Sequence, residues 1–383
     1  MKRTIQILSN KFLFFLLFWS LSIVLLFSSY NLEIFLLEQE EITIKNDNFI
    51  FSIYDNKKKN QIQNSTLQIK TNNNHLFVNN QQFENKLIIS ANQLIINDIE
   101  YKGTLIITAQ SNNQIRVINQ IDLEDYIAGV IPAEIGGGAS IEALKAQAIT
   151  TRTYTIKSIL NGKHQKDGYD LCNTTHCQVY AGFKGQTELS NRAVKETINT
   201  IITYKNEPIE AFYSASCGGI TENSGNVWLK KFDYLIPQAD DYCIDLSLIP
   251  SYAQKNINWE KSFSMQELEK MFEIQKIDEI IIQNTNNSPR VYMITIKSGS
   301  DYLEIKGNNN IRQKLSLLSN LFLIKKEDFQ IRIIGNGFGH GVGLCQIGAI
   351  ARAKNGQSYQ QILQFYFPQT KIDHQWVKKH KKL

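Results

Sequence analysis

Short alternations of apolar and polar residues fill the chain between residue 31 and about residue 120. Apolar and β-branched residues alternate with polar ones there, and turns rich in Asn, Lys and Gln separate the runs. This period of two predicts short β-strands. The predicted strands cover residues 49–54, 67–70, 87–90, 93–96, 103–109 and 116–121. We find no catalytic pattern in this region, so we expect a scaffold or a binding region.

A helical period replaces the alternation at residues 141–160. Apolar residues recur at helical spacing through this run, and Ser140 is a candidate N-cap. Arg152 lies inside the apolar stripe, between Ile149 and Ile156. A buried arginine needs a partner, whereas an arginine at the edge of the stripe extends its head group into water. Both alternatives remain open, and in the first one the guanidinium orients an acid or the substrate in a cleft.

Glu134 is the residue before this helix that most resembles a catalytic acid. It follows an apolar run that includes Pro132, and three glycines occupy 136–138. In the simplest interpretation, the stretch is a strand, a flexible turn and a helix with one exposed Glu. In the functional interpretation, apolar neighbours raise the pKa of the carboxyl so that it donates a proton near neutral pH. The glycines would then let a large substrate approach the backbone.

The rest of the chain mixes helices with short strands, so we predict an α+β fold with antiparallel sheets. The predicted helices cover 190–199, 265–272 and about 311–318, and the predicted strands cover 200–204, 208–214, 291–296 and 302–305.

The 383 residues suffice for two or three domains, and the net charge of +5 gives no indication of nucleic-acid binding. The five cysteines show no pairing of C-x-x-C motifs.

The N-terminus predicts export. Lys2, Arg3 and Lys11 precede an uncharged apolar run at 12–27. A basic flank before an apolar run orients the remainder of the chain outward. We favour an uncleaved anchor over a removed signal peptide, because no small-residue cleavage site is clear. We therefore expect a single-pass protein of the cell membrane with its bulk on the extracytoplasmic side.

A glycine-rich stretch lies between a predicted strand and a predicted helix near the C-terminus, at 331–349. Its glycines do not match G-x-G-x-x-G in any register, and no Gly-Lys-Ser/Thr follows, so dinucleotide and phosphate-loop sites are excluded. What remains is a glycine-walled groove that carries the His340 imidazole and the Gln346 amide. Such a groove suits a flat polar ligand such as a sugar.

Three long motifs occur in one order along the chain. They are Tyr126-Ile-Ala-Gly-Val-Ile-Pro-Ala-Glu134, Glu142-Ala-Leu-Lys-Ala-Gln147-Ala-Ile-Thr-Thr-Arg152-Thr-Tyr154, and Gly337-Phe-Gly-His340-Gly-Val-Gly343-Leu-Cys-Gln346-Ile-Gly-Ala349. Together they resemble the SpoIID/LytB family of stage II sporulation protein D and amidase-enhancer proteins. The likeness covers roughly residues 100 to 372.

The resemblance implies a lytic transglycosylase that cuts the MurNAc–GlcNAc bond of peptidoglycan and leaves a 1,6-anhydro end. It places the catalytic acid at Glu134 and a second required residue at Arg152. We add Gln147, Ser216, His340 and Gln346 as predicted substrate contacts. A non-catalytic enhancer of a cell-wall amidase is the alternative, and a structural envelope protein is a third possibility. The expected partners are glycan strands and the membrane, with an amidase in the alternative.

Some members of the family bind zinc in a loop that matches residues 164–177. Cys172, Cys177 and His164 would be the ligands here, with His176 nearby, and thiolates and imidazoles suit zinc. A disulfide or free thiols are the competing interpretations. The chemistry itself requires no cofactor, so any zinc would be structural. The chain departs from the family at Ser214, where a histidine is frequent.

These patterns and the resemblance divide the chain into regions. We expect an anchor or signal at 1–30, a β-rich region at 31–110, and a SpoIID-like core at 111–372. An α/β segment at 255–330 is inserted into that core, and a solvated basic tail occupies 373–383.

Overall fold

The computed structural model describes residues 30–55, 58–228, 230–285, 287–328 and 330–380. The apolar run of the predicted anchor lies outside these residues. Within the described ranges, no helix is both long and apolar enough to cross a membrane. The fold is α+β and mostly antiparallel, which confirms the predicted class.

The alternating region forms two sheets. The strands are β1 (Asn31–Gln39), β2 (Glu41–Lys45), β3 (Ile50–Asp55), β4 (Lys58–Gln63), β5 (Thr66–Asn72), β6 (His75–Val78), β7 (Gln81–Phe83), β8 (Lys86–Ser90), β9 (Leu94–Ile96), β10 (Ile99–Tyr101), β11 (Thr104–Ala109), β12 (Ile115–Asp122) and β13 (Leu171–Cys172). All six predicted strands are present. The sheet orders are β13-β1-β12-β11-β8-β3-β4 and β10-β9-β2-β5-β6-β7, and all pairs except β1 with β13 are antiparallel.

Three helices pack on these sheets: α1 (Leu123–Glu134), α2 (Ile141–Leu160) and α3 (Glu188–Glu196). The strand expected before Glu134 is wrong, because that segment is α1. The Asp122 side chain caps α1 by accepting a hydrogen bond from the Glu124 N–H at 2.8 Å. Helix α2 has the predicted bounds, although the hydroxyl of Ser140 makes no capping hydrogen bond.

Helix α2 lies between two hydrophobic cores. Leu144 and Ile156 join the core of the N-terminal sheets and α1, whereas Ala146 and Ile149 join a second core built from later residues. Burial on several sides explains why this helix carries few exposed polar positions. It also makes α2 the element that connects the N-terminal half of the fold with the C-terminal half.

Short elements follow in the chain, and most of them contribute to the second core. They are β14 (Ile201–Tyr204), β15 (Glu207–Pro208), β16 (Tyr213–Ser214), α4 (Ser224–Trp228), α5 (Ser251–Gln254), β23 (Leu344–Cys345), α8 (Gln346–Lys354), α9 (Tyr359–Tyr366), β24 (Lys371–Asp373) and α10 (Trp376–Lys379). Strands β16 and β23 pair in parallel, and β14 pairs with β15 and β24. The expected solvated tail is wrong at Trp376, which is buried and donates from Nε1 to the Asn206 carbonyl.

A third core lies between β14–β16 and β23 in sequence. Its elements are β17 (Asn258–Ser264), α6 (Met265–Phe272), β18 (Glu279–Asn284), β19 (Val291–Ser298), β20 (Asp301–Lys306), α7 (Asn308–Leu315), β21 (Leu321–Glu327) and β22 (Gln330–Asn336). The strands form two antiparallel sheets, β17-β22-β21 and β18-β19-β20. They bury their own apolar cluster, which includes Phe263, Ile294 and Ile311.

Candidate active site

Glu134 is the last residue of α1, at the edge of a glycine turn. The turn leaves the helix at Gly136, whose φ of +88° favours glycine. A Cβ on Gly137 would lie 2.7 Å from the Gly185 carbonyl oxygen, so this position also excludes larger residues. The Glu134 side chain is partly buried, and its Oε1 accepts a hydrogen bond from the Val179 N–H at 2.7 Å. The carboxyl therefore lies at the surface in a fixed orientation.

The environment of Glu134 favours the protonated acid. Burial raises the pKa of the carboxyl, and this effect outweighs the hydrogen bonds with the Val179 N–H and with the Tyr213 and Gln346 side chains. These partners are all neutral groups. A raised pKa increases the fraction of Glu134 that carries a proton near neutral pH, which is what a general acid requires.

Gln178 binds three hydroxyl groups, one of which belongs to Tyr213, a neighbour of Glu134. Its Nε2 donates to the hydroxyls of Thr155 at 2.9 Å and Tyr126 at 3.3 Å, and its Oε1 accepts the Tyr213 hydroxyl at 3.1 Å. A phenol has a single proton to donate. Gln178 and Glu134 therefore compete for the single proton of Tyr213, and the hydrogen bond from Tyr213 lowers the pKa of Glu134 in opposition to burial.

Arg152 does not contact the acid. Its side chain is fully buried, its Nε and Nη2 donate to the two carboxylate oxygens of Glu124 at 2.9 and 2.5 Å, and its Nη1 donates to the Thr200 carbonyl. Glu124 and Glu134 occupy opposite ends of α1, roughly 15 Å apart at 1.5 Å per residue. The guanidinium thus joins α1, α2 and the residue before β14. The predicted role in orienting the acid is replaced by an anchoring role, and the alternative of a head group in water is wrong.

Among the predicted substrate contacts, Gln346 is the one that reaches Glu134. Gln147 is completely buried behind it, and its Oε1 accepts from Gln346 Nε2 at 3.4 Å. Ser216 is also completely buried, and its hydroxyl oxygen lies 3.3 Å from the Cys243 sulfur. Neither Gln147 nor Ser216 is placed to contact a substrate, because both face the interior.

His340 supports the strand that carries Tyr213. Its Nδ1 accepts the Val342 N–H at 3.0 Å, so the neutral ring carries its proton on Nε2. Burial and the nearby guanidinium groups of Arg312 and Arg290 lower the pKa of His340 to about 3, and the ring also bonds the backbone of Tyr213. The imidazole is therefore a neutral group that holds β16, and its ring centre lies 4.8 Å from that of Trp228 in an edge-to-face arrangement.

The glycines near His340 pack against protein atoms. A Cβ on Gly343 would lie 2.1 Å from the Phe212 carbonyl oxygen, and one on Gly341 would lie 2.3 Å from the Arg290 guanidinium. The expected open groove is therefore wrong at these positions. The glycine motif instead lets the loop pack tightly on β16.

The predicted metal ligands converge in the loop after α2. Atoms of His164, Cys172, His176 and Cys177 that can bind a metal all lie within 4.8 Å of one another. His164 directs Nε2 towards the Cys177 sulfur at 3.3 Å, and its Nδ1 lies 2.8 Å from an Asp167 oxygen. A carboxylate on the second nitrogen of a histidine is typical of zinc ligands. All five cysteines of the chain are free thiols in this structure.

Sequence reasoning missed two parts of the site, Gln178 and Tyr213, and it named His176 only as a neighbour of the three predicted ligands. The position of Gln178 directly after Cys177 was an available signal, because a metal loop fixes the residues that follow it. Tyr213 gave no signal, since its strand is only two residues long and its partners come from distant segments.

The fold and the site thus define an α+β protein with one half-buried carboxyl at the end of a helix. A family model described as SpoIID, stage II sporulation protein, matches residues 111–204. A second model, a domain of unknown function (DUF8618), matches residues 250–343. The chain belongs to the SpoIID family.

Three relatives illustrate the extent of the likeness. An uncharacterised protein of Brachyspira hyodysenteriae is 35% identical over 265 residues, which are 67% of this chain and 68% of that protein. The amidase enhancer of Bacillus subtilis is 30% identical over 290 residues, or 64% of this chain and 40% of the enhancer. The stage II sporulation protein D of Bacillus subtilis is 28% identical over 278 residues, or 67% of this chain and 75% of that protein.

Proposed function

We propose that this protein is a lytic transglycosylase that cleaves MurNAc–GlcNAc bonds of peptidoglycan and forms 1,6-anhydro-MurNAc ends. Family membership and the named relatives support a function related to the cell wall. The observation that carries the finer proposal is the single carboxyl of Glu134, half-buried, with a raised pKa and neutral partners.

One carboxyl suffices for this reaction. Glu134 protonates the glycosidic oxygen as the bond to C1 of MurNAc breaks. The C6 hydroxyl of the same sugar then attacks C1, and Glu134 takes up the hydroxyl proton, which returns the acid to its starting state. A hydrolase of the common kind uses two carboxyl groups that flank the bond.

The nearby acidic residues are engaged elsewhere. Asp122 caps α1, Glu124 binds Arg152, and Asp125 binds Lys102 at 2.6 Å. These contacts favour the mechanism with one acid over a hydrolase. The exposed ring of Tyr252, whose hydroxyl is close to Gly136 in the turn after the acid, is suited to contact a sugar face.

The test is incubation of the purified protein with glycan strands that lack stem peptides, followed by mass spectrometry. We expect anhydro ends from the parent protein and a loss of about 10²–10⁴-fold with Glu134→Gln, the usual value of a general acid. Asp125→Asn is a matched control, because Asp125 is an exposed carboxylate on the same helix. Undiminished product from Glu134→Gln would refute the proposal.

The second candidate is a glycan-binding enhancer of a cell-wall amidase. The relative named amidase enhancer favours it. The same variant separates the two functions, since Glu134→Gln should leave the stimulation of an amidase intact if no bond is cleaved. Full stimulation by the variant, with no anhydro product from the parent, would select this candidate.

We also propose a structural zinc held by His164, Cys172, His176 and Cys177. The fit of the four ligand atoms and the Asp167 carboxylate on His164 support it. Zinc would fix the loop whose next residues, Gln178 and Val179, hold Tyr213 and Glu134.

We place the whole active site outside the cytoplasmic membrane, with the apolar run at 12–27 as an anchor. Protease treatment of intact spheroplasts should therefore degrade the described part of the chain.

A further inference from the structure

A second group of metal-binding side chains lies apart from the predicted zinc loop. Cys217 follows β16, Asp240 precedes a 3-10 helix at Asp241–Cys243, and Cys345 ends β23. The three sulfurs and one Asp240 oxygen all lie within 4.8 Å of one another, and all four residues are buried. The segments are far apart in sequence and show no metal-binding spacing, so the fold alone brings them together.

Backbone N–H groups point at these sulfurs. The Cys345 sulfur accepts hydrogen bonds from the Cys217 N–H at 3.2 Å and the Gly348 N–H at 3.3 Å. Cys345 is also the N-cap of the nine-residue helix α8, where the helix dipole favours an anion. Both features favour the thiolate form of Cys345, in opposition to the burial that raises the pKa of this thiol. The thiolate is the form of cysteine that binds metals.

Buried cations compensate charge around the group. Arg352 donates from Nη2 to Asp240 Oδ1 at 2.8 Å, and Arg290 donates from Nη2 to the Cys217 carbonyl at 2.6 Å. Three thiolates and one carboxylate are four negative charges, and a divalent cation leaves two. Arg352 pairs with Asp240, whereas Arg290 also faces the buried Glu222 carboxylate at 3.9 Å, so the guanidinium groups offset part of that remainder. Without a cation the buried thiols stay protonated, and metal binding would release their protons.

We propose that Cys217, Asp240, Cys243 and Cys345 bind one zinc ion as a second, structural site. Soft thiolates select zinc over hard cations such as Mg²⁺. Tetrahedral zinc with sulfurs at 2.3 Å needs about 3.8 Å between two sulfurs, so the 3.3 Å between Cys243 and Cys345 requires only a small adjustment. A disulfide would use two of the three thiols and leave the third beside the carboxylate.

This site lies directly behind the wall of the candidate active site. Gln346, which contacts Glu134, is the residue after Cys345, and Tyr213 pairs with Leu344 in the strand that ends at Cys345. Zinc would therefore fix the β16–β23 pair. The metal site itself does not depend on the proposed glycan chemistry.

The experiment measures metal in full-length protein purified without chelators. We expect one zinc per chain to remain in the variant Cys172→Ser/Cys177→Ser, and the further change Cys243→Ser to remove it. Cobalt substituted into the double variant should give an intense sulfur-to-cobalt absorption band. No metal in the folded double variant, or a disulfide between any two of Cys217, Cys243 and Cys345, would overturn the proposal.

A second measurement uses the parent chain, in case the variants do not fold. Protein loaded with ¹¹³Cd should give a resonance typical of three sulfur ligands and one oxygen ligand. A spectrum that lacks this resonance would contradict the second site, whatever the glycan assay shows.

Discussion

Arg152 is the residue for which the sequence and the structure suggest different roles, so its replacement is an informative test. Arg152→Met leaves the Glu124 carboxylate without the guanidinium that pairs with it and the Thr200 carbonyl without a donor. Breaking a buried ion pair costs about 3–5 kcal/mol. The Glu124 side chain keeps 22% of its surface exposed. We therefore expect the lower end of this range, a loss of about 3 kcal/mol in the free energy of unfolding.

Urea denaturation followed by tryptophan fluorescence measures this loss, and glycan cleavage per folded molecule measures the effect on chemistry. The matched control is Arg192→Met on α3, whose exposed pair with Glu196 should contribute about 0–1 kcal/mol. The double change Arg152→Met/Glu124→Met removes both charges and should recover most of the stability. It should also restore the yield of active protein.

The reasoning fails if Arg152→Met unfolds at the urea concentration of the parent and cleaves glycan much more slowly. That outcome would mean that the guanidinium leaves Glu124 and acts on the substrate. Rescue by the double change has no explanation in a direct role, because that variant also lacks the guanidinium.

Three further predictions concern the acid and its turn. Burial raises the pKa of Glu134, so the protonated acid is lost as pH rises through that value; cleavage should fall over the same range, and a rate that increases through it would contradict this assignment. In Gly137→Ala the added Cβ clashes with a backbone carbonyl, so this variant should displace the acid and lower the cleavage rate. The control Gly138→Ala has nothing within 4 Å of the added Cβ and should match the parent. Equal cleavage rates for the two variants would argue against a rigid turn. Tyr213→Phe should reduce stability by about 1–3 kcal/mol in urea denaturation, because Gln178 Oε1 loses its donor, and it should slow cleavage; a variant as stable as the parent would show that water replaces the hydroxyl.

Local patterns predicted the scaffold well. The period-two strands and helix α2 follow from residue type alone, because each has one or two apolar faces that the fold buries. Helix α1 was missed, since Gly129 and Pro132 interrupt a short apolar run and make it resemble a strand. Gly129 is needed inside α1, because the Cβ of any larger residue there would clash with the ring of Tyr180.

The surroundings of the acid were less predictable, because they are non-local. Glu134 was identified from its motif, but its neighbour Tyr213, and Gln178 that binds Tyr213, come together only after three segments fold. The same limit applies to Cys217, Cys243 and Cys345, which no sequence spacing connects. The sequence analysis added Ser216 as a substrate contact, and only the packing reveals that it faces inward.

Each residue that contacts Glu134 lies close to a cysteine of a proposed zinc site. Val179 lies two residues after Cys177, Gln346 follows Cys345, and Tyr213 pairs with the strand that ends at Cys345. If zinc binds both groups, its removal should loosen these contacts and admit water to Glu134. Weaker desolvation lowers a raised carboxyl pKa towards its ordinary value.

We therefore expect chelated protein to lose cleavage activity at a lower pH than metal-loaded protein, before any global unfolding. The pH dependence of cleavage with and without chelator, with circular dichroism to monitor folding, measures the shift. Added zinc should reverse it. A pH dependence that stays the same after both sites are emptied would separate the metals from the acid, because the protonation of Glu134 would then be set by packing alone.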